Sequence, residues 1–414
     1  MTIRSVKALI APAAVSALLF GANVTFPSSS ELVKFAEQGN RAAVGSLLKS
    51  GDIPVNEPSR DGMTALLWAA QANDLPMVKS LLEAGADPNF GNRYHITPLW
   101  LAALNRSPEM IELLIQRGAS AAASLPHGET PLMVAARAGD PESIDLLLAA
   151  GADPNASESL HGETALMWAA AEDHPDAIRA LVAGGADLDR HSRALNLAPM
   201  KWESPAMTLT SVLPVGGWTA AMYAARQNSA EAMEALIALG SSLDEQDENG
   251  TTALSLAIMN EHYDLAAALL EAGADPNVAD HAGASALYVA VDMVSRRGDV
   301  GRPPRPLFDE LNAIDIVRLV LTHGANPNAR LLSRVIDRHH ERGDPELAEG
   351  ATTLMKAAKA GDLESMRVLL EAGADPALEL ASGLTVFDLA EGKGRGDANE
   401  EVQNLLQEFA GHSR

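Results

Sequence analysis

Histidine, carboxylate and arginine are the side chains with which this chain would do chemistry, because it contains no cysteine. That absence removes thiol nucleophiles, disulfides and thiolate metal sites together. The histidines offer little to build on. His339 and His340 are adjacent, so on a helix they point in different directions and make a poor metal pair. His161, His191, His281 and His323 stand where the sequence reads as turns, and there an imidazole is an ordinary polar surface group. Acids number 55 against 31 lysines and arginines, so any choice of two as general acid and base is arbitrary. There is no Gly-rich phosphate loop, no His-Glu-x-x-His zinc run and no Gly-x-Ser-x-Gly elbow. The expectation is a chain that is not an enzyme, with no catalytic residues, cofactor or metal.

Residues suited to recognition are easier to find. Trp202 and Met207, with Met200, fall in a non-repetitive stretch at 188–215. Such side chains are enriched in the centres of binding surfaces. Between Met293 and Arg342 there are nine arginines, including Arg334 and Arg338, against six acids. Arginine pairs carboxylates and phosphates bidentately, so this stretch is a candidate receiver of an acidic ligand. The bland readings stay open: a loop packed by its own tryptophan, and arginines paired with neighbouring acids. The net charge of −24 argues against nucleic acid as a partner, because phosphate binding needs a surplus of Lys and Arg.

The elements that would position these residues follow from repetition. The nonapeptide Leu-Leu-Glu-Ala-Gly-Ala-Asp-Pro-Asn occurs at Leu81–Asn89 and again at Leu269–Asn277, with near copies at Leu147–Asn155 and Leu369–Ala377. Its glycine supplies the left-handed residue that ends a helix, and the proline prevents continuation. That glycine recurs at 51, 85, 118, 151, 185, 240, 273, 324 and 373, the first steps being 34, 33, 33 and 34 residues. A Thr or Ser keeps the same beat at 64, 97, 130, 164, 219, 252, 285, 352 and 385. Its hydroxyl is a good helix N-cap. Two residues before each marker stands a glycine, except at His95. Each period therefore reads as turn, short helix, tight connection, second helix, glycine stop.

With stretches such as Thr-Pro-Leu-Met-Val-Ala-Ala-Arg-Ala-Gly-Asp at Thr130–Asp140 and Thr-Ala-Leu-Met-Trp-Ala-Ala at Thr164–Ala170, the sequence resembles the ankyrin repeat family. The resemblance spans about residues 30–410 and implies an all-α helical solenoid of about ten helix-turn-helix repeats. One departure is systematic. Where the family usually has His three residues after the Thr, this chain has Leu67, Trp100, Met133, Met167, Met222, Ser255, Tyr288, Met355 and Asp388. Apolar packing is expected to replace the missing hydrogen bonds. The resemblance also implies a non-catalytic scaffold that binds a protein partner in its concave groove, and the two insertions in the finger-like turns between units are expected to take part. Ligand contacts in the family come from the residue before the Thr and from the end of the first helix. Here these include Trp218, Arg226, Gln227, Met259 and Asn260, and units five to eight are the expected binding region.

Three insertions break the beat, near 188–215, 295–311 and 329–349. The first and third fall in the turn between units and the second between the helices of one unit. The first and third therefore belong on one edge and the second on the opposite edge. Residues 1–22 read as a signal peptide: Arg4 and Lys7, then an uncharged run at Ala8–Phe20, too short for a membrane span. Residues 23–29 are a linker and 30–411 the solenoid. The expectation is a monomeric, exported protein, periplasmic or secreted, with no membrane span after signal removal; a cytoplasmic chain is the alternative. The resemblance is to bacterial proteins of that kind. Two further functions are carried: a receptor for an acidic small ligand or polymer at the arginine-rich insertions, and an accessory subunit of an exported enzyme.

Overall fold

Among the described residues ten helix pairs follow one another along the chain. The computed structural model describes residues 31–51, 53–195, 216–295, 309–335, 346–391 and 396–410. The segments read as signal and linker, most of the first and second insertions and about half of the third lie outside the described residues. The inner helices, first of each pair, are α1 (Glu31–Glu37), α3 (Ala65–Gln71), α5 (Pro98–Leu104), α7 (Pro131–Ala138), α9 (Ala165–Ala171), α11 (Ala220–Gln227), α13 (Ala253–Met259), α15 (Ala286–Ser295), α17 (Thr353–Ala360) and α19 (Val386–Glu391). The outer helices are α2 (Arg41–Ser50), α4 (Leu75–Glu83), α6 (Pro108–Gln116), α8 (Pro141–Ala149), α10 (Pro175–Ala183), α12 (Ala230–Ala238), α14 (Tyr263–Glu271), α16 (Ala313–Thr322), α18 (Leu363–Glu371) and α20 (Gly396–Ala410). Among the described residues the regular structure is all helix, with three isolated bridges, and no helix is long and apolar enough to cross a membrane.

The markers do what their chemistry dictates. The hydroxyls of Thr64, Thr97, Thr130, Thr164, Thr219, Thr252 and Thr352 each accept the backbone N–H three residues on, capping an inner helix. The stop glycines all take the left-handed conformation, from Gly51 at φ +86° to Gly373 at φ +88°. His95, the one break in the turn-glycine series, holds φ +63°. The turn thus imposes the same conformation on a residue that disfavours it.

Five and six residues after Thr64, Thr97, Thr130, Thr164 and Thr219 stand two small side chains, Ala69–Ala70, Ala102–Ala103, Ala135–Ala136, Ala169–Ala170 and Ala224–Ala225, all fully buried. They let successive inner helices stack closely, α1 on α3 and so on to α19, while the outer helices form a second layer. Each unit leaves an apolar face that only its neighbour covers. The first and third insertions do not interrupt the stack, since α9 packs directly on α11 and α15 on α17.

At the position three after the marker, Leu67, Met133, Met167, Met222 and Met355 are buried, so apolar packing does replace the family's histidine. Hydrogen bonding is not wholly lost. The thioethers of Met167 and Met355 receive the N–H of Thr164 and Thr352 at 3.4 Å, and Asp388 receives that of Thr385 at 2.7 Å.

The nonapeptide is a joint, and its last residue shows how. Asn89 donates its amide to the Gly118 carbonyl and accepts the Ser120 N–H, both at 2.8 Å. Asn155 does the same to Gly185 and Asp187, Asn277 to Gly324 and Asn326, and Asn328 to Gly373 and Asp375. Each asparagine is a rung tying one joint to the next. At two joints Asp189 and Asp244 accept without donating to the glycine, and after the third unit the position is Ala122.

The turns between units share a closing pair: Asn92 N–H to Ile96 O, Leu125 to Glu129, Glu158 to Glu163, Asp247 to Thr251 and Asp280 to Ala284. Ser192 N–H to Trp218 O (2.9 Å) and Leu331 N–H to Ala351 O (2.8 Å) are the same pair. The first and third insertions therefore leave from the tips of ordinary turns. The second leaves from the C-terminal end of α15, opposite the turn, as its place in the period requires.

Candidate binding surface

Three positions of each unit, the residue before the marker and those four and seven after it, lie along the side of the inner helix away from the outer layer. Four and seven are three apart and share a helix face. In units two and three they are apolar except for Gln71: Met63 and Trp68, then Ile96, Leu101 and Leu104. In units four to six they are Glu129, Val134 and Arg137; Glu163, Trp168 and Ala171; and Trp218, Tyr223 and Arg226.

These last side chains form one connected belt. The Arg137 guanidinium lies 3.8 Å from Glu129 and stacks 4.9 Å over the Trp168 ring. Trp168 donates its indole N–H to one oxygen of Glu163 at 2.7 Å, and the Tyr223 hydroxyl donates to the other at 2.8 Å. Tyr223 meets Trp218 edge to face, centroids 5.4 Å apart. Trp218 donates its indole N–H to Asp247 at 3.2 Å, and Arg226 stacks over the ring at 4.7 Å. Burial first, and then the charge of Glu163, push the Tyr223 phenol well above its ordinary value, so it stays a donor. Burial also raises the Glu129 carboxyl, against the pull of Arg137 and with the push of Glu158.

The groove residues expected from the resemblance occupy this belt and its continuation. Trp218 is buried, only 6% exposed, so what it offers a partner is the guanidinium that covers it. Arg226 and Gln227 are exposed; Met259 and Asn260 are half-buried, and Asn260 donates its amide to the Leu256 carbonyl. Trp202, Met207 and Arg338 lie outside the described residues. Arg334 is exposed at the base of the third insertion, remote in register from the belt.

Composition pointed to no metal, yet one group calls for a test. Ligand atoms of Glu158, His161 and Glu163 lie within 4.8 Å of one another. The buried Glu158 carboxylate accepts the N–H groups of Leu160, His161 and Glu163, closing its turn as Asp247 and Asp280 close theirs. Glu163 serves Trp168 and Tyr223. Both carboxylates are committed to structure. Beside the first insertion, a shallow cleft is lined by His191, Ser192, Gly217, Asp247 and His281. There the His191 ring bridges the Gly217 carbonyl (2.9 Å) and Glu245 (3.2 Å).

What the sequence did not single out is Trp168 and the pairing of Glu163. The signal was present as spacing: Glu129–Arg137 and Trp218–Arg226 are both one residue before and seven after the marker.

Comparison with known proteins bears on the whole repeat. The family described as ankyrin repeats (3 copies) matches residues 7–92, 32–123, 84–158 and 193–280, and the single ankyrin repeat matches 161–193 and 349–379. The putative ankyrin repeat protein YahD of Escherichia coli is 27% identical over 208 residues, 45% of this chain and 92% of that protein. The B-cell lymphoma 3 protein homolog of Mus musculus is 28% identical over 187 residues, 38% of each chain. The match thus spans less than half of the mouse relative's length. Among solved structures, the human ASB11 ankyrin repeat domain aligns with a TM-score of 0.48 at 26% identity, covering 60% of this chain and 99% of that one.

Proposed function

Since the chain belongs to the ankyrin repeat family, we propose that it is a non-catalytic scaffold that binds a protein partner along the groove of units four to seven. Ankyrin repeats generally mediate protein–protein interactions, and the fold is typically a non-catalytic scaffold. The observation that carries the location is the belt from Glu129 to Arg226. It concentrates two arginines stacked on aromatic rings, Trp168 and Trp218, on one face. Trp, Tyr and Arg dominate binding energy at interfaces, and here their positions are held before any partner arrives.

The experiment places a photo-crosslinking residue at Gln227, in the groove, or at Lys79, exposed on the outer helix α4. The full chain is then used as bait on separated fractions of the host. A protein cross-linked from position 227 and not from 79 supports the groove. Cross-linking from 79 alone moves the site to the outer layer.

The export reading rests on the charge and length pattern of residues 1–22. Mass spectrometry of the N-terminus of the protein recovered from outside the cytoplasm tests it. An unprocessed chain found only in the cytoplasm would reverse it.

A further inference from the structure

The two arginine–tryptophan stacks differ in one respect that points to a ligand. Arg137 stacks on Trp168 and also faces Glu129 at 3.8 Å. Arg226 stands at the same register in unit six and stacks on Trp218. The place that holds Glu129 in unit four is in unit six the ring itself. Among the described residues no carboxylate lies within ion-pair distance of Arg226. The nearby acids are committed elsewhere: Glu163 to Trp168 and Tyr223, and Asp247 to the indole of Trp218.

The stack is also held from several sides. Trp218 is fixed by its indole N–H, by its backbone N–H to Ser192 Oγ at 2.9 Å, and by the edge of Tyr223. The Arg226 carbonyl accepts His262 Nε2 at 3.2 Å, which ties the end of α11 to the next unit. A guanidinium lying on a ring uses its face. Its N–H donors point outward in the plane and suit a carboxylate bidentately. Arg226 is a local cation on a chain of net charge −24. Next along the groove, Met259 is half-buried and offers an apolar surface.

We propose that Arg226 receives an Asp or Glu side chain from a partner's peptide segment, with an apolar residue beside that acid lying on Met259. The inference rests on the groove reading and specifies its chemistry.

The test is a selection of random dodecapeptides, displayed with no free C-terminus, against the full chain and against Arg226→Gln. Circular dichroism and thermal unfolding first establish that the variant folds like the parent. Peptides enriched on the parent are expected to share one Asp or Glu. Changing that acid to its amide should weaken binding to the parent about tenfold or more, and should change binding to Arg226→Gln little. Arg226→Lys, which keeps charge but not the planar fork, should fall between. Enriched peptides without a common acid overturn the proposal, as does an amide penalty of equal size on Arg226→Gln. In either case the groove reading stands if Met259→Ala or Gln227→Ala weakens binding. Peptides indifferent to all three positions, or no binders at all, overturn both.

Discussion

Trp68 and Trp168 occupy the same place in their units, four residues after the capping threonine, and they live in different surroundings. Trp168 gives its indole N–H to Glu163 and lies under Arg137. Trp68 has Met63 where unit five has Glu163, and its buried indole N–H has no acceptor among the described residues; nor has that of Trp100. One scaffold position serves in the first region as plain apolar filling and in the second as a node of a polar network. The repeat fixes where a side chain stands. The residue before the marker decides what that side chain can do.

That contrast can be attacked at four levels. Leu81 and Leu147 are the same joint residue in units two and four, both fully buried. Truncating either to Ala should lower stability by about 2–5 kcal/mol, measured by denaturant unfolding, because stacking is common to both regions. A cost confined to one would mean that the regions differ in packing as well as polarity. Leu148, the next residue after Leu147, is only half-buried and rests over Gly184; its truncation should cost less.

Next, Glu163→Ala strips the acceptor from two donors, and should cost about 1–3 kcal/mol in the same assay. Met63→Ala removes no hydrogen bond to Trp68, so the two variants separate network from volume. Third, Trp168→Phe should cost about 0.5–1.5 kcal/mol more than Trp68→Phe. The first leaves Glu163 short of a donor, while the second deletes a donor that had no partner. Equal costs would erase the distinction between the two regions.

The smallest effect concerns pH. The Glu129 carboxyl starts from an ordinary value of 4.5 and is raised in the folded chain, by burial above all. In that window the folded state holds more protons than the unfolded one. Its contribution to stability is therefore present below 4.5 and lost as pH rises through the folded value. Glu129→Gln should flatten that part of the profile, read as unfolding free energy between about pH 4 and 7.

Most of the architecture was legible because backbone chemistry leaves marks in sequence. A helix stop needs a left-handed residue and a cap needs a hydroxyl, so Gly85 and Thr64 could be read without a structure. His95 shows the limit: nothing in a histidine announces φ +63°, and only its place in the series does. The belt was half legible. Register placed Trp218 and Arg226 on one surface. It did not reveal that Glu163 reaches sideways to Tyr223, 60 residues on, because the first insertion lies between them in sequence. Insertions follow no period, so residues such as Trp202 had only composition to speak for them.

The asparagine rungs carry a mechanical consequence. Pulling on the two ends of a stacked array loads every seam in series, and the seam with the fewest ties yields first. Asn89, Asn155, Asn277 and Asn328 each span a seam with two hydrogen bonds, whereas Ala122 supplies no side-chain tie between the third and fourth units. The long bond from the Arg106 guanidinium to the Gly139 carbonyl, 3.5 Å, crosses that seam instead, so among the inner seams it should yield early under tension, just ahead of the polar belt, and release units one to three while the belt stays assembled.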